Sequence, residues 1–331
     1  MEEGFRIWAN PSSPHAEGRK AKAALEDARE RIKRALGWNG ELIFTSGASE
    51  AASLALHHAK AGARLVSAVE HDAILKAVPD AERLAVGPDG ALDLETLREA
   101  VQRENPLVAV QHVNSETGNA QELDEISAIV RASRGWLLAD CSQSAGKLAL
   151  PACDLAIVSA HKFGGPIGIG ALLLRDFAML EPSGGHERGY RRGTENLPGA
   201  LGMAAALEAS LRQPPCSGAI RSALDALAET VRGAGGTWLS DRLDRPVGYI
   251  HAIAMPVMSG TAQVMRFDMA GIALSQGSAC SSGTMKTSHV LEAMGTEPAI
   301  AANTIRASTG WSTTLDEIER FREVWLEMTK G

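Results

Sequence analysis

Apolar and polar positions along the chain fall into short segments with two alternating periods. Between residues 20 and 36 apolar groups recur at three- and four-residue spacing (Ala24, Leu25, Ala28, Ile32, Leu36) and Gly37 follows as a stop, which predicts a helix. "ELIFTSG" then predicts a short strand ending at Gly47, and "SEAASLALHHA" a helix with Ser49 near its start. "ARLVSAVEH" predicts a strand ending at His71, and "LVAVQHVNSETG" a buried strand with a polar tail. "LDEISAIVRASRG" predicts an amphipathic helix, and "WLLADCSQS" a strand whose last residues turn polar. "DLAIVSAHK" and "IGALLLR" predict two more strands. Strands that alternate with helices predict an α/β fold with a mainly parallel sheet covered on both faces.

A helical pattern over about residues 195–212 stops at "RQPPCSG", where two prolines mark a hinge. Beyond it come a helix over 218–233, the strand-like "YIHAIAMP", the segment "GIALSQGSACSSG", a helix near 287–294, "NTIRASTG" and a terminal helix from about 314. The expected organisation is a large domain over 1–213 and a smaller α+β domain over 214–331.

Composition narrows the function. The chain has 331 residues, 45% hydrophobic and 22% charged, enough for a large core, and a net charge of -7 with no isolated Lys/Arg block, so no nucleic-acid partner is expected. No apolar run approaches the roughly 18–20 residues of a membrane span, and the start has no basic-then-apolar signal pattern, so the cytoplasm is the default compartment. Cys141, Cys153, Cys216 and Cys280 are widely spaced without a CxxC, which indicates neither a metal site nor a disulfide framework.

The candidate chemistry gathers where predicted strands end, the place where open α/β sheets bind ligands. Ser46, Gly47, Ala48 and Ser49 end one strand, His71 a second, Asn114, Ser115 and Glu116 a third, Asp140 and Gln143 a fourth, and Ser159, His161 and Lys162 a fifth. Any one of these reads equally as a cap or a turn. Asp140 and Lys162, each leaving an apolar run, need a partner or a ligand. "TSGAS" at a helix start offers N–H groups to a phosphate. An aspartate can hold a pyridine nitrogen protonated and a lysine can form a Schiff base. Pyridoxal phosphate (PLP) fits all three, whereas a dinucleotide fits less well because no GxGxxG follows a first strand.

The motifs "NPSSPHAEGRKAKAALEDARERI", "FTSGASEAASLAL", "EHDAIL", "HVNSETG", "DCSQSAGK", "SAHKFGGPIGIGALLLR", "GGHERGYRRGTEN", "GSACSSG" and "IRASTG" follow one another over nearly the whole chain. Together they resemble the class V, fold-type I PLP-dependent aminotransferase family, and within it the NifS/IscS-type cysteine desulfurases. The resemblance implies a seven-stranded, mainly parallel sheet in the large domain and a small domain carrying a catalytic cysteine. It implies that Lys162 holds PLP as a Schiff base, that His71 stacks on the ring and helps move protons, and that Asp140 pairs with the pyridine N–H. Gln143 then hydrogen-bonds the ring hydroxyl, and Ala48, Ser49, Ser159 and His161 bind the phosphate. Thr194 reaches the phosphate of a neighbouring subunit, which implies a homodimer, and Arg306 holds the substrate carboxylate. Cys280, in a stretch of small residues with two glycines, takes sulfur from L-cysteine as a persulfide and leaves L-alanine. The persulfide would pass to sulfur-acceptor proteins of iron–sulfur cluster assembly or tRNA thiolation. Cys141, Cys153 and Cys216 read instead as small buried cysteines, with Cys141 on the strand face opposite Asp140.

Three features depart from the family pattern. The family opens with a segment of the kind "YLDxAATTP", and here Met1 lies nine residues before Asn10. It carries two asparagines in "HVNNE", where this chain has Asn114 followed by Ser115, leaving open which of the two contacts PLP. "SEAASLAL" lacks an asparagine often found in that helix. The alternatives are a selenocysteine lyase, a non-catalytic PLP-fold scaffold in sulfur transfer, and an ordinary aminotransferase. Retention of both Lys162 and Cys280 argues against the scaffold, and "GSACSSG" against the aminotransferase.

Overall fold

The computed structural model describes residues 1–213, 215–277 and 288–329. Cys280, the expected sulfur carrier, lies outside the described residues.

The chain opens with helices α1 (Glu2–Arg6) and α2 (Ala16–Leu36). Strand β1 (Glu41–Thr45), helix α3 (Ala48–His58), strand β2 (Arg64–Ser67), helix α4 (Asp72–Ala77), strand β3 (Glu82–Leu84) and helix α5 (Leu94–Ala100) follow. Strand β4 (Leu107–Gln111), helix α6 (Leu123–Ala132) and strands β5 (Trp136–Asp140), β6 (Leu155–Ser159) and β7 (Gly170–Leu174) complete the first sheet, and helix α7 (Leu197–Ser210) returns across it. The second part carries helix α8 (Gly218–Gly233), strands β8 (Thr237–Trp238) and β9 (Ile250–Ala254), helices α9 (Gly260–Met269), α10 (His289–Ala293) and α11 (Pro298–Ala302), strand β10 (Thr304–Ser308) and helix α12 (Leu315–Thr329).

The first sheet has seven strands in the order β1-β7-β6-β5-β4-β2-β3. The run from β6 to β3 is parallel, and β7 pairs antiparallel with both β1 and β6. The antiparallel step has a simple cause: only residues 160–169 join β6 to β7, too few for a crossover helix. Strand residues alternate between two cores. Leu42, Phe44, Val108, Val110, Leu137 and Ala139 face the side covered by α2 and α7, while Ile43, Val66, Leu107, Ala109 and Leu138 face the side covered by α3 and α4. Burial of both faces explains why these strands read as continuous apolar runs.

Helix α2 behaves as its spacing predicts. Ala21, Leu25, Ala28, Ile32 and Leu36 are its buried stripe, His15 accepts from the Gly18 N–H at its start, and Gly37 ends it in the left-handed conformation at φ 66°. The second part builds an antiparallel sheet, β10-β9-β8, over its own core of Leu227, Phe267, Phe321 and Trp325. The two parts meet through Val69 against Leu243 and Val290, and through Val113 against Tyr249. Cys141, Cys153 and Cys216 are buried, and burial pushes the Cys141 and Cys153 thiols up, the latter to about 12.

Several predicted strand ends fall short: β1 stops at Thr45 rather than Gly47, and β6 at Ser159 rather than Lys162. The strand expected to run to His71 stops at Ser67, and His71 is the cap of α4 instead, its Nδ1 accepting from the Ala73 N–H at 3.1 Å. Beyond Ser67 the Glu70 side chain, rather than a further strand residue, accepts the Gln111 N–H at 2.7 Å. That bond lets the backbone turn away at the sheet's carboxyl edge.

Candidate active site

A cleft of about 500 Å³ lies across the carboxyl ends of β1, β4, β5 and β6. Ala48, Ser49, His71, Ser115, Asp140, Gln143, Ser159, His161, Lys162 and Arg306, read from the sequence as site residues, all line it.

Each reaches the cleft by a local device. Ala48 and Ser49 open α3, so the unpaired N–H groups of its first turn point to the cleft end of the helix. The backbone before α3 sits close over β7: a Cβ on Gly170 would lie 2.8 Å from Gly47 Cα and 2.7 Å from the Val158 carbonyl. Asp140 is the last residue of β5, and its Oδ1 accepts from the Ser142 N–H at 2.9 Å. Ser159 ends β6 and its hydroxyl shares a 3.0 Å hydrogen bond with His161 Nδ1. Burial, and then the charge of Lys162, lower the proton affinity of His161.

Lys162 sits in a 3-10 turn, Ala160–Phe163, that Gly164 closes in the left-handed conformation at φ 82°. Gly165 must also be glycine, since a Cβ there would lie 2.9 Å from the Ala160 carbonyl. The glycines after the lysine thus fold the backbone tightly under it. His71 uses Nδ1 as an acceptor, so its neutral ring carries the proton on Nε2.

Arg306, on β10, brings the second part of the chain to the cleft and donates to the Ser115 carbonyl at 2.8 Å. Of Asn114 and Ser115, only Ser115 lines the cleft. The Asn114 amide is occupied elsewhere, donating to the Val69 carbonyl of the segment after β2 at 3.1 Å and accepting from the Glu116 and Thr117 N–H groups of its own loop at 2.9 Å. Thr194 is exposed and lines no part of its own chain's cleft.

Sequence reasoning missed Glu50, Gln111 and Ser142, which also line the cleft. Glu50 accepts from the Ser46 N–H and pairs with Arg191 at 2.9 Å, tying the "RRGTEN" loop to α3. Gln111 Nε2 and Ser142 Oγ are buried without a hydrogen-bond partner among the described residues. Gln111 lies opposite Asp140 in the β4–β5 register, so the orphan amide and the carboxylate share one end of the cleft. A signal for Gln111 existed: it is the one polar residue that closes the apolar run "LVAVQ".

A carboxylate, a lysine, an imidazole and a helix start around one cleft, with donors left unsatisfied, suit an anionic ligand that brings its own hydrogen-bonding groups. The donor set fits PLP: N–H groups and hydroxyls for a phosphate, Asp140 for a ring nitrogen and Lys162 for a carbonyl carbon.

The aminotransferase class-V family model matches residues 5–321. The "Cysteine desulfurase IscS 1" of Archaeoglobus fulgidus is 33% identical over 96% of this chain and 88% of its own length. The solved NifS-like protein from Rickettsia africae superposes with a TM-score of 0.88 at 27% identity, covering 100% of this chain and 95% of that one. A structure described as SspA in complex with cysteine superposes with a TM-score of 0.79 at 28% identity, over 95% of this chain and 96% of that chain. The chain belongs to the class-V aminotransferase family.

Proposed function

We propose that this protein is a cysteine desulfurase that uses PLP to take sulfur from L-cysteine, leaving L-alanine and a persulfide on Cys280. The observation that carries the reading is the convergence of Lys162, Asp140, His71 and the start of α3 on one cleft whose Gln111 Nε2 and Ser142 Oγ lack partners among the described residues. The family match and the cysteine desulfurase relative support it.

When bound, PLP supplies an electron sink for the bonds around the substrate α-carbon. The chain's residues do the rest. Lys162 holds the cofactor and, once displaced by substrate, accepts the α-proton on its Nζ. Asp140 would keep the ring nitrogen protonated, and His71 would offer its Nε2 proton to the bound group. Ala48, Ser49, Ser159 and His161 hold the phosphate, and Gln143 and Ser115 address the ring hydroxyl. Asn114 acts behind them by fixing the loop that presents Ser115. Arg306 orients the substrate carboxylate. The Cys280 thiolate attacks the substrate sulfur; the C–S bond breaks as the S–S bond forms, and the carbon skeleton leaves as alanine after protonation.

The same reading takes the chain as two domains meeting near residues 213 and 214. It makes the protein a cytoplasmic homodimer in which Thr194 completes the partner's phosphate site, passing sulfur to iron–sulfur or thiolation proteins. Among the described residues no helix is long and apolar enough to cross a membrane.

The test is to load the protein with PLP, add L-cysteine, assay alanine and sulfide, and weigh the Cys280 peptide. We expect alanine and one added sulfur on Cys280 in the wild type. Lys162→Ala should lose both the visible absorbance of the bound cofactor and turnover, and Cys280→Ser should lose the added sulfur. Alanine production unchanged by Cys280→Ser, with activity confined to selenocysteine, would favour the lyase. PLP binding without turnover of either amino acid would favour the scaffold.

A further inference from the structure

A second cleft, of about 400 Å³, adjoins the first and shares Ser115, Gln143, His161, Lys162 and Arg306 with it. Lys147 and Tyr249 line only the second. Lys147 is held firmly: its Nζ donates to the Gln143 carbonyl at 3.1 Å and lies 5.1 Å from the centre of the Tyr249 ring, while the Tyr249 hydroxyl donates to the same carbonyl at 3.0 Å. Among the described residues no carboxylate lines this cleft, and the hydrogen bond of Lys147 goes to a carbonyl. Two lysines and Arg306 therefore line one partly enclosed space together with His161.

We propose that Lys147 is a positioning residue of the active site that sets a second cation beside Lys162 and so lowers the proton affinity of the Lys162 nitrogen. The proposal rests on the reading of Lys162 as the cofactor lysine. A lysine in water holds its proton up to about pH 10.4, too high for an amine that must attack and accept protons near neutrality. A neighbouring cation in a desolvated site is one of the few ways to lower it.

The repulsion is mutual. Burial first, and then Lys162, bring the proton affinity of Lys147 down to about 8. Lys147 is thus charged below about pH 8, where it acts on Lys162, and its influence fades as the pH rises through that value. Among the described residues the other titratable or charged groups lining this cleft are Arg306, a guanidinium; His161, whose proton affinity burial and Lys162 lower; and Tyr249, which burial keeps neutral. From the first cleft the carboxyl groups of Asp140 and Glu50 and the imidazole of His71 also face this region. These surroundings stay in place when only Lys147 is changed.

The experiment follows the pH midpoint of the visible absorbance of PLP bound at Lys162, in the PLP-loaded protein without substrate. Lys147→Gln keeps a donor for the Gln143 carbonyl but removes the charge, and the midpoint should rise by about one pH unit. Lys147→Met serves the same purpose should the glutamine variant not fold. Lys147→Arg keeps the charge and should bring the midpoint back toward the wild-type value. Tyr249→Phe removes a support from the same carbonyl without changing charge and should leave the midpoint in place. An unmoved midpoint in the neutral variants, or an equal shift in Tyr249→Phe, would overturn the inference. A wild type with no PLP absorbance would instead sink the reading of Lys162 and the inference with it.

Discussion

Glu187 and Glu70 are both buried carboxylates, and the protein treats them in opposite ways. Glu187, 4% exposed, takes the Arg29 guanidinium at 2.8 Å and the Phe44 N–H at 3.0 Å. Arg29 also donates to the Leu42 carbonyl, so the pair clamps α2 to β1. The Glu70 carboxyl, 0% exposed, accepts the Gln111 N–H, and among the described residues its Oε2 has no partner. With Asp140 as an additional nearby negative group, burial drives the Glu70 carboxyl well above the usual carboxylate range. A carboxylate that holds elements together is saturated with donors. One beside a ligand cleft is left short of donors, and its burial favours the protonated form.

The contrast can be broken most forcefully at the clamp. Glu187→Ala leaves Arg29 buried with only the partly exposed Glu26 as counter-charge, and should cost about 3–5 kcal/mol in denaturant unfolding. The clamp lies outside the cleft, so PLP binding should survive under conditions where the variant remains folded. Gly170→Ala tests the cleft side. Its Cβ would press on Gly47 Cα and the Val158 carbonyl, neither of which can swing aside. We expect a smaller loss of stability, about 1–3 kcal/mol, together with a weakened PLP affinity measured by absorbance titration. A variant that binds PLP as tightly as the wild type would show that the α3 start does not need that close seat.

How far the sequence exposed this arrangement follows from which interactions are local. Strands buried on both faces and the capped, striped helix α2 are written in neighbouring residues, and so is the clustering of polar groups at strand ends. What escaped depends on partners distant in sequence. Gln111 looks like the tail of a strand until Glu70 and Asp140 are set on either side of it. Lys147 comes to lie near Lys162 only because the turn after β5, closed by the Ala145 N–H to Cys141 carbonyl bond, folds back beneath the cleft. Ser115 stands at the position expected to contact the ring hydroxyl, and the tie from the neighbouring Asn114 amide to Val69, 45 residues earlier, leaves no local pattern. Helix α9 left little pattern because it buries only Gly260, Gln263 and Phe267 and leaves Met265 and Met269 exposed.

The finest test of the contrast is Glu70→Gln. If Glu70 is a neutral acid in the folded protein, glutamine reproduces its shape and its acceptor for the Gln111 N–H. The two proteins should then differ little in stability near pH 4.5. In the unfolded chain the carboxyl ionises at about 4.3, but in the fold only at a higher pH. Between those values the folded state holds the extra proton, so the wild type loses stability as the pH rises. The glutamine variant has no such proton to hold. Its melting temperature relative to wild type should climb from pH 4.5 toward neutrality, whereas the same comparison at Glu187 should show glutamine destabilising at neutral pH, because it removes the closest counter-charge of the buried Arg29. A Glu70→Gln variant that instead falls below wild type as the pH rises would mean that Glu70 is ionised in the fold. The two buried carboxylates would then be alike after all.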